Sequence, residues 1–208
     1  MRDRGSCLSI KLKSDMPVNI PILLTWLRVA LIPLMVGVLY LPDSWLGPFD
    51  KSLASTLIFI VAALTDWIDG FLARRWNQTS AFGAFLDPVA DKLMVAGALL
   101  VLIEFGRVNA VIAFIIIGRE ITISALREWM AQIGASKSVA VSSLGKIKTM
   151  AQMTAIPMLL YYDNFFGLDT RIWGQWLLLI AAVLTVWSMF YYLRKAWPLI
   201  KESGGNLL

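Results

Sequence analysis

The chain has 208 residues, of which 58% are hydrophobic and only 16% are charged, and its formal net charge is +5. Apolar runs long enough to cross a bilayer core recur from Ile20 almost to the C-terminus, which excludes an ordinary soluble domain and predicts an integral membrane protein. Histidine is absent and Cys7 is the only cysteine, so imidazole chemistry, thiolate chemistry and an intrachain disulfide are all excluded.

The first fifteen residues are polar and basic, and they lack the apolar stretch and small-residue cleavage site of a signal peptide. We interpret residues 1–16 as a dispensable leader ahead of a start at Met16, or else as a segment that lies on anionic lipid headgroups. The connections between later apolar runs are too short for a separate soluble domain. Residues 17–208 are therefore predicted to form one helical membrane domain.

The apolar runs predict an all-α bundle of six transmembrane helices. Their predicted spans are roughly 20–41, 53–74, 86–104, 108–129, 145–162 and 173–194. Lysine and arginine concentrate at one set of span ends, and such residues are retained on the cytoplasmic side. Both termini are therefore predicted to be cytoplasmic.

Four aspartates surround the connection between the second and third spans. They follow the pattern Asp66-x-x-Asp69-Gly70-x-x-Ala73-Arg74-x8-Gly83-x3-Asp87-x3-Asp91. On helices, Asp66 and Asp69 share one face, and so do Asp87 and Asp91. Carboxylates this close in an apolar setting repel one another unless cations lie among them. Oxygen ligands without histidine or cysteine favour a hard ion, so we predict one or two Mg²⁺ or Mn²⁺ ions per site.

Small residues and an arginine accompany the aspartates. Gly70, Ala73 and Gly83 leave space for a ligand or a neighbouring helix, and Arg74 can pair with a phosphate. Together with a metal ion, these residues predict a diphosphate site. The alternative is that the aspartates form structural salt bridges with nearby basic residues and that the small residues are packing notches.

The pattern resembles the signature of the CDP-alcohol phosphatidyltransferases, and every signature position is filled. The resemblance implies a six-helix membrane homodimer that transfers a phosphatidyl group from a CDP-linked lipid to an alcohol and releases CMP. It implies Asp66, Asp69 and Asp87 as metal ligands, with Asp91 in the same metal site and acting as the general base. The residues expected to bind the CDP-lipid are Asn19, Thr25, Asp66, Asp69, Gly70, Ala73, Arg74 and Gly83.

Further segments resemble the bacterial branch of this family that uses glycerol 3-phosphate as acceptor. They include Asn19-Ile20-Pro21, Gly118-Arg119-Glu120 and Gly145-Lys146-Ile147-Lys148-Thr149. The resemblance implies an enzyme of phospholipid synthesis in a bacterial inner membrane, with its site facing the cytoplasm. Its substrates would be CDP-diacylglycerol and sn-glycerol 3-phosphate, its product phosphatidylglycerophosphate, and no nucleic-acid partner is expected.

The phosphate of such an acceptor requires fixed cations, which an uncharged acceptor would not need. The candidates at the predicted cytoplasmic ends of the fourth and fifth spans are Arg119, Arg127, Lys146 and Lys148. Arg119 is the most informative, because it follows an apolar run where a lone guanidinium is unfavourable. It could instead pair with Glu120 or Asp91, and the others could serve topology or contact lipid headgroups.

Two alternative functions stay open at this point. One is a sister transferase whose acceptor is an inositol phosphate, serine or a second phosphatidylglycerol. The other is a divalent-cation transporter, which would need acidic residues along a continuous path through several spans. The acidic residues of this chain crowd near one side, which favours the transferase.

Overall fold

Residues 20–76, 81–132 and 143–204 are described in a computed structural model, and they form an all-α bundle. The helices are α1 (Ile20–Leu39), α2 (Pro48–Trp76), α3 (Ala81–Glu104), α4 (Ala110–Gln132), α5 (Ser143–Tyr161) and α6 (Thr170–Gly204). The six predicted helices are confirmed, although α2 begins earlier and α6 ends later than expected. The N-terminal segment interpreted as a leader lies outside the described residues.

Two of the described helices are long and apolar enough to cross a membrane, over Pro48–Ile68 in α2 and Thr170–Arg194 in α6. Helix α1 carries a shorter apolar stretch, Leu23–Leu39. Charged residues interrupt the apolar sequences of α3 and α4, namely Asp87, Asp91, Lys92, Arg119, Glu120 and Arg127. Asp87, Asp91, Arg119 and Arg127 belong to the predicted site, so some of the side chains that suggest function also weaken the membrane signal of their helices.

Consecutive helices alternate in direction. Ion pairing joins the beginning of α1 to the end of α2, and a hydrogen bond joins α1 to the beginning of α3. At the other end of the bundle, Arg107 in the connection after α3 donates hydrogen bonds to the beginning of α2 and the end of α5. An apolar core, which includes Phe59, Met94, Leu99 and Ile156, fills the space between the two ends.

The connection between α3 and α4 is set by a glycine. Gly106 has a φ of +66°, a conformation that L side chains adopt only with strain. The N–H of Gly106 donates to the carbonyl of Ile103 at 2.9 Å, and that of Arg107 donates to the carbonyl of Leu102 at 2.8 Å. This pair of bonds is a Schellman turn, and it ends α3 at the position where the sequence predicted a break.

The connection between α5 and α6 contains a short hairpin that the sequence did not predict. Strand β1 (Asn164–Phe165) pairs antiparallel with β2 (Leu168–Asp169). Phe166 and Gly167 form the turn, and both have positive φ values, 49° and 86°. A two-residue turn of this kind favours Asn-Gly, so a phenylalanine in the first position conceals it.

Candidate functional site

A cavity of about 420 Å³ opens at the end of the bundle where α1, α3 and α5 begin. Helices α2, α3, α4 and α5 supply its walls. The lining residues are Asp66, Asp87, Pro88, Asp91, Lys92, Arg119, Glu120, Ser124, Arg127, Lys148 and Thr149. The structure therefore brings aspartates of the sequence pattern together with cations predicted to bind the acceptor phosphate.

Helix α1 orients two of the carboxylates. The Arg28 Nη1 lies 2.5 Å from the Asp66 Oδ1, and the Arg28 side chain is completely buried. The Thr25 hydroxyl donates a hydrogen bond of 2.7 Å to the Asp87 Oδ1. Thr25, predicted to lie beside the nucleotide, thus contacts one of the cavity aspartates from α1.

The donor set of the cavity suits a hard divalent cation, because its aspartates offer oxygen ligands only. Among residues 20–76, 81–132 and 143–204, however, no three described carboxylates are close enough to form a metal group by themselves. The side chain of Asp69, a predicted ligand, is outside that description. The metal site accordingly stays a prediction.

Six predicted residues lie wholly or partly outside the described part of the chain. Asn19 is one of them, and only the backbone is described for Asp69, Gly70, Ala73, Arg74 and Lys146. The backbones of α2 and α5 nevertheless carry the last five of these residues to the same end of the bundle as the cavity. Gly83, near the beginning of α3, is buried.

Two of the cations that line the cavity pair with one of its carboxylates. The Arg119 Nη1 lies 3.5 Å from the Glu120 Oε1, and the Lys148 ammonium pairs with the same oxygen. The Arg119 Nη2 donates to the Ser188 hydroxyl at 2.9 Å. The buried Nε of Arg119 has no hydrogen-bond partner among the described residues. Arg119 is thus positioned by the protein and retains one unused donor.

One tyrosine supports both arginines of α4. The ring centroid of Tyr192 lies 5.9 Å from the guanidinium carbon of Arg119 and 5.7 Å from that of Arg127, distances at which a cation is attracted by an aromatic face. Tyr192 is only 1% exposed and lies one helical turn after Ser188 on α6. Neither Ser188 nor Tyr192 was predicted from the sequence. Their signal was two hydrogen-bonding side chains at i, i+4 spacing within a largely apolar stretch of α6.

Comparison with known proteins identifies a family and several relatives of the chain. A family model described as CDP-alcohol phosphatidyltransferase matches residues 18–187. The chain is 55% identical over 183 residues to the CDP-diacylglycerol–glycerol-3-phosphate 3-phosphatidyltransferase of Escherichia coli (strain K12), covering 87% of this chain and 96% of that protein. Proteins of the same name from Escherichia coli O157:H7 and Shigella sonnei (strain Ss046) match with the same identity and coverage.

Proposed function

The chain belongs to the CDP-alcohol phosphatidyltransferase family, and we propose that it transfers the phosphatidyl group of CDP-diacylglycerol to sn-glycerol 3-phosphate. The products are phosphatidylglycerophosphate and CMP. The observation that carries this proposal is a cavity lined by Asp66, Asp87 and Asp91 together with Arg119 and Lys148. A donor diphosphate and an acceptor phosphate need these two kinds of side chain within one substrate length of each other.

The reaction exchanges one phosphorus–oxygen bond for another. The primary hydroxyl oxygen of glycerol 3-phosphate attacks the phosphorus that bears the diacylglycerol. The bond between that phosphorus and the bridging oxygen breaks, and CMP leaves with the oxygen. Asp91 accepts the hydroxyl proton, since it lies one turn after Asp87 on the cavity wall and the chain has no histidine to act as base.

The carboxylates are proposed to hold one or two Mg²⁺ or Mn²⁺ ions, with Asp69 completing the set formed by Asp66, Asp87 and Asp91. Asp69 lies three residues after Asp66 on α2, and this spacing places two positions on nearly the same face of a helix. Such an ion supplies neutralisation of the diphosphate charge when bound. Arg28 and Thr25 keep two of the carboxylates in place from α1.

The acceptor phosphate is proposed to bind Arg119, Arg127 and Lys148. The unused Nε donor of Arg119 calls for an acceptor atom, and a phosphate oxygen provides one. Glu120 offsets part of the positive charge in the absence of substrate, and the phosphate competes with it for Arg119 and Lys148. Lys146, two residues before Lys148 on α5, is proposed to add to the positive charge at this end of the bundle.

The nucleotide half of the donor is proposed to lie along the end of α2 and the beginning of α3, beside Gly70, Ala73, Arg74 and Gly83. Asn19 and Thr25 border this region from α1. Small residues permit close approach of the diphosphate to the helix backbones, and the Arg74 guanidinium can pair with its oxygens.

We propose further that all six helices cross the inner membrane of a bacterium, with the termini and the cavity on the cytoplasmic side, and that the enzyme is a homodimer. The alternating helix directions and the clustering of basic residues at the cavity end support this orientation. The position of the aspartates disfavours the cation-transport alternative. The aspartates of the cavity lie at one end of the bundle, whereas a transporter needs acidic residues along a path through it.

The test compares acceptors with purified enzyme. CDP-diacylglycerol is supplied with radiolabelled sn-glycerol 3-phosphate, inositol 1-phosphate, serine or phosphatidylglycerol, and CMP release and labelled lipid are measured together. Of the four acceptors, only glycerol 3-phosphate should give both CMP release and labelled lipid. Turnover with serine or inositol 1-phosphate but not with glycerol 3-phosphate would assign the enzyme to a sister activity.

A chelator arm examines the metal in the same assay. Removal of divalent ions with EDTA should abolish CMP release, and added Mg²⁺ or Mn²⁺ should restore it. Full activity in chelator would remove the metal from the proposal and leave the acceptor assignment intact.

A further inference from the structure

A small recess adjoins the cavity on the side of α5. Its volume is about 40 Å³, and it shares Asp91 and Glu120 with the main cavity while Gln152 closes it from α5. A cavity of this volume has room for at least one water molecule, so a hydroxyl group fits in the recess. It is therefore a polar subsite directly beside the proposed general base.

Gln152 carries a buried acceptor that the protein does not use. Its residue is 3% exposed, and its Oε1 accepts no hydrogen bond from any described residue. A buried polar atom without a partner is uncommon and points to a missing ligand or water. Rotation about the terminal bond of a glutamine side chain is soft, so a group in the recess can reach this oxygen.

The unused atoms around the cavity match the acceptor substrate. Glycerol 3-phosphate presents a primary hydroxyl, a phosphate and a secondary hydroxyl on C2. The primary hydroxyl is assigned to Asp91, and a phosphate oxygen satisfies the unused donor of Arg119. The C2 hydroxyl is the remaining donor, and the Gln152 Oε1 is the buried acceptor that remains for it on this side of the cavity.

We propose that Gln152 accepts a hydrogen bond from the C2 hydroxyl of glycerol 3-phosphate and thereby selects acceptors that carry a secondary hydroxyl next to the reacting one. This inference rests on the proposed function. Lys148 lies one turn before Gln152 on α5, so a single helix face contacts the phosphate and the C2 hydroxyl. The distance between these two side chains sets the length of acceptor that fits.

The experiment compares glycerol 3-phosphate with 3-hydroxypropyl phosphate, which lacks only the C2 hydroxyl. The ratio of their kcat/KM values is measured for the wild-type enzyme, for Gln152→Met and for Gln175→Met. Methionine matches glutamine in size and removes the acceptor. Gln175 is exposed at the opposite end of the bundle and controls for the substitution itself.

The wild type and Gln175→Met should prefer glycerol 3-phosphate by about 10- to 100-fold, the range expected when a buried polar group is left unpaired. Gln152→Met should reduce this preference below about threefold, with the loss confined to glycerol 3-phosphate. If Gln152 had a merely structural role, the substitution would lower kcat/KM equally for both acceptors and leave their ratio unchanged. That result would overturn the inference.

The wild-type measurement can overturn the inference by itself, even if Gln152→Met fails to fold. Equal use of the two acceptors by the wild type would show that no residue reads the C2 hydroxyl. Absence of turnover with glycerol 3-phosphate while another acceptor reacts would instead contradict the proposed function, so the two failures are distinguishable.

Discussion

The two ends of the bundle each hold an arginine whose guanidinium is removed from solvent to a large extent, but their surroundings differ. At the end opposite the cavity, the Arg107 Nη1 donates to the carbonyls of Leu159 and Leu160, at 3.2 and 2.6 Å, and its Nη2 donates to the Ser52 hydroxyl at 2.9 Å. The ring of Tyr162 lies 4.6 Å from its guanidinium carbon. Arg107 is satisfied by the protein alone.

Arg119 at the cavity end is only partly satisfied. It bonds to Ser188, lies near Glu120, and keeps its Nε without a partner among the described residues. Burial lowers the pKa of the Arg107 guanidinium from its usual range, so even an arginine with backbone acceptors bears a desolvation cost. An arginine that bears such a cost and still leaves a donor unused is placed for a ligand. The contrast separates a structural cation from a functional one.

The largest expected effect lies at the cavity end. Asp91→Asn removes the proposed base while preserving size, and turnover should fall by about 10²- to 10⁴-fold, the range for loss of general-base catalysis. CDP-lipid binding should persist, measured by equilibrium binding of labelled CDP-diacylglycerol. Asp50→Asn, at an exposed position near the other end, should retain normal turnover. Near-wild-type activity of Asp91→Asn would show that another group takes the proton.

The sequence predicted the existence of the helices well because apolar runs and their breaks are local signals. The gap between the predicted third and fourth spans marked the end of α3, and the structure has a turn there that requires the positive φ of Gly106. The boundaries of α2 and α6 were set too short because both helices continue into polar sequence beyond the apolar stretch. Phe166 concealed the hairpin turn, since its residue type does not indicate positive φ.

The candidate site was predictable as a set of residue types but not as a set of partners. Aspartate spacing identified one face of α2 and one of α3, yet the pairing of Arg28 with Asp66 depends on how α1 packs against α2. The support of Arg119 by Ser188 likewise joins residues 69 positions apart. Helical periodicity fixes which face a residue occupies, and only tertiary packing decides what that face meets.

The second prediction concerns replacement of the structural arginine, Arg107. Arg107→Gln would leave the Leu159 and Leu160 carbonyls without their donor at the end of α5, and the free energy of unfolding should fall by about 2–4 kcal/mol. Thermal unfolding in detergent, followed by tryptophan fluorescence, measures the loss. The KM for glycerol 3-phosphate should stay unchanged in the folded fraction. A raised KM without loss of stability would erase the distinction between the two ends.

The third prediction applies the same substitution to the functional arginine. Arg119→Gln should raise the KM for glycerol 3-phosphate by about 10- to 100-fold, the value of one or two hydrogen bonds to a charged group. The KM for CDP-diacylglycerol and the unfolding temperature should change little. An Arg119→Gln protein that unfolds early and binds glycerol 3-phosphate normally would identify Arg119 as a second structural cation.

The smallest expected effect concerns the packing of α6 against α5 near the end opposite the cavity. A Cβ atom at Gly174 in α6 would lie 2.8 Å from the Leu159 Cγ, so Gly174→Ala should force α5 and α6 apart and lower the free energy of unfolding by about 1–3 kcal/mol. Leu159 is also the residue whose carbonyl Arg107 contacts, so this loss belongs to the structural end.

Gly37 in α1 provides the matched control, because a Cβ atom there meets nothing within 4 Å among the described residues. Gly37→Ala should leave stability unchanged or raise it by up to about 1 kcal/mol, since alanine favours a helix over glycine. Both alanine variants should keep the wild-type preference among acceptors, measured by the acceptor comparison described above, because neither residue lines the cavity. If Gly174→Ala altered acceptor choice without altering stability, then the two ends would be coupled through α5, which carries Leu159 at one end and Lys148 at the other.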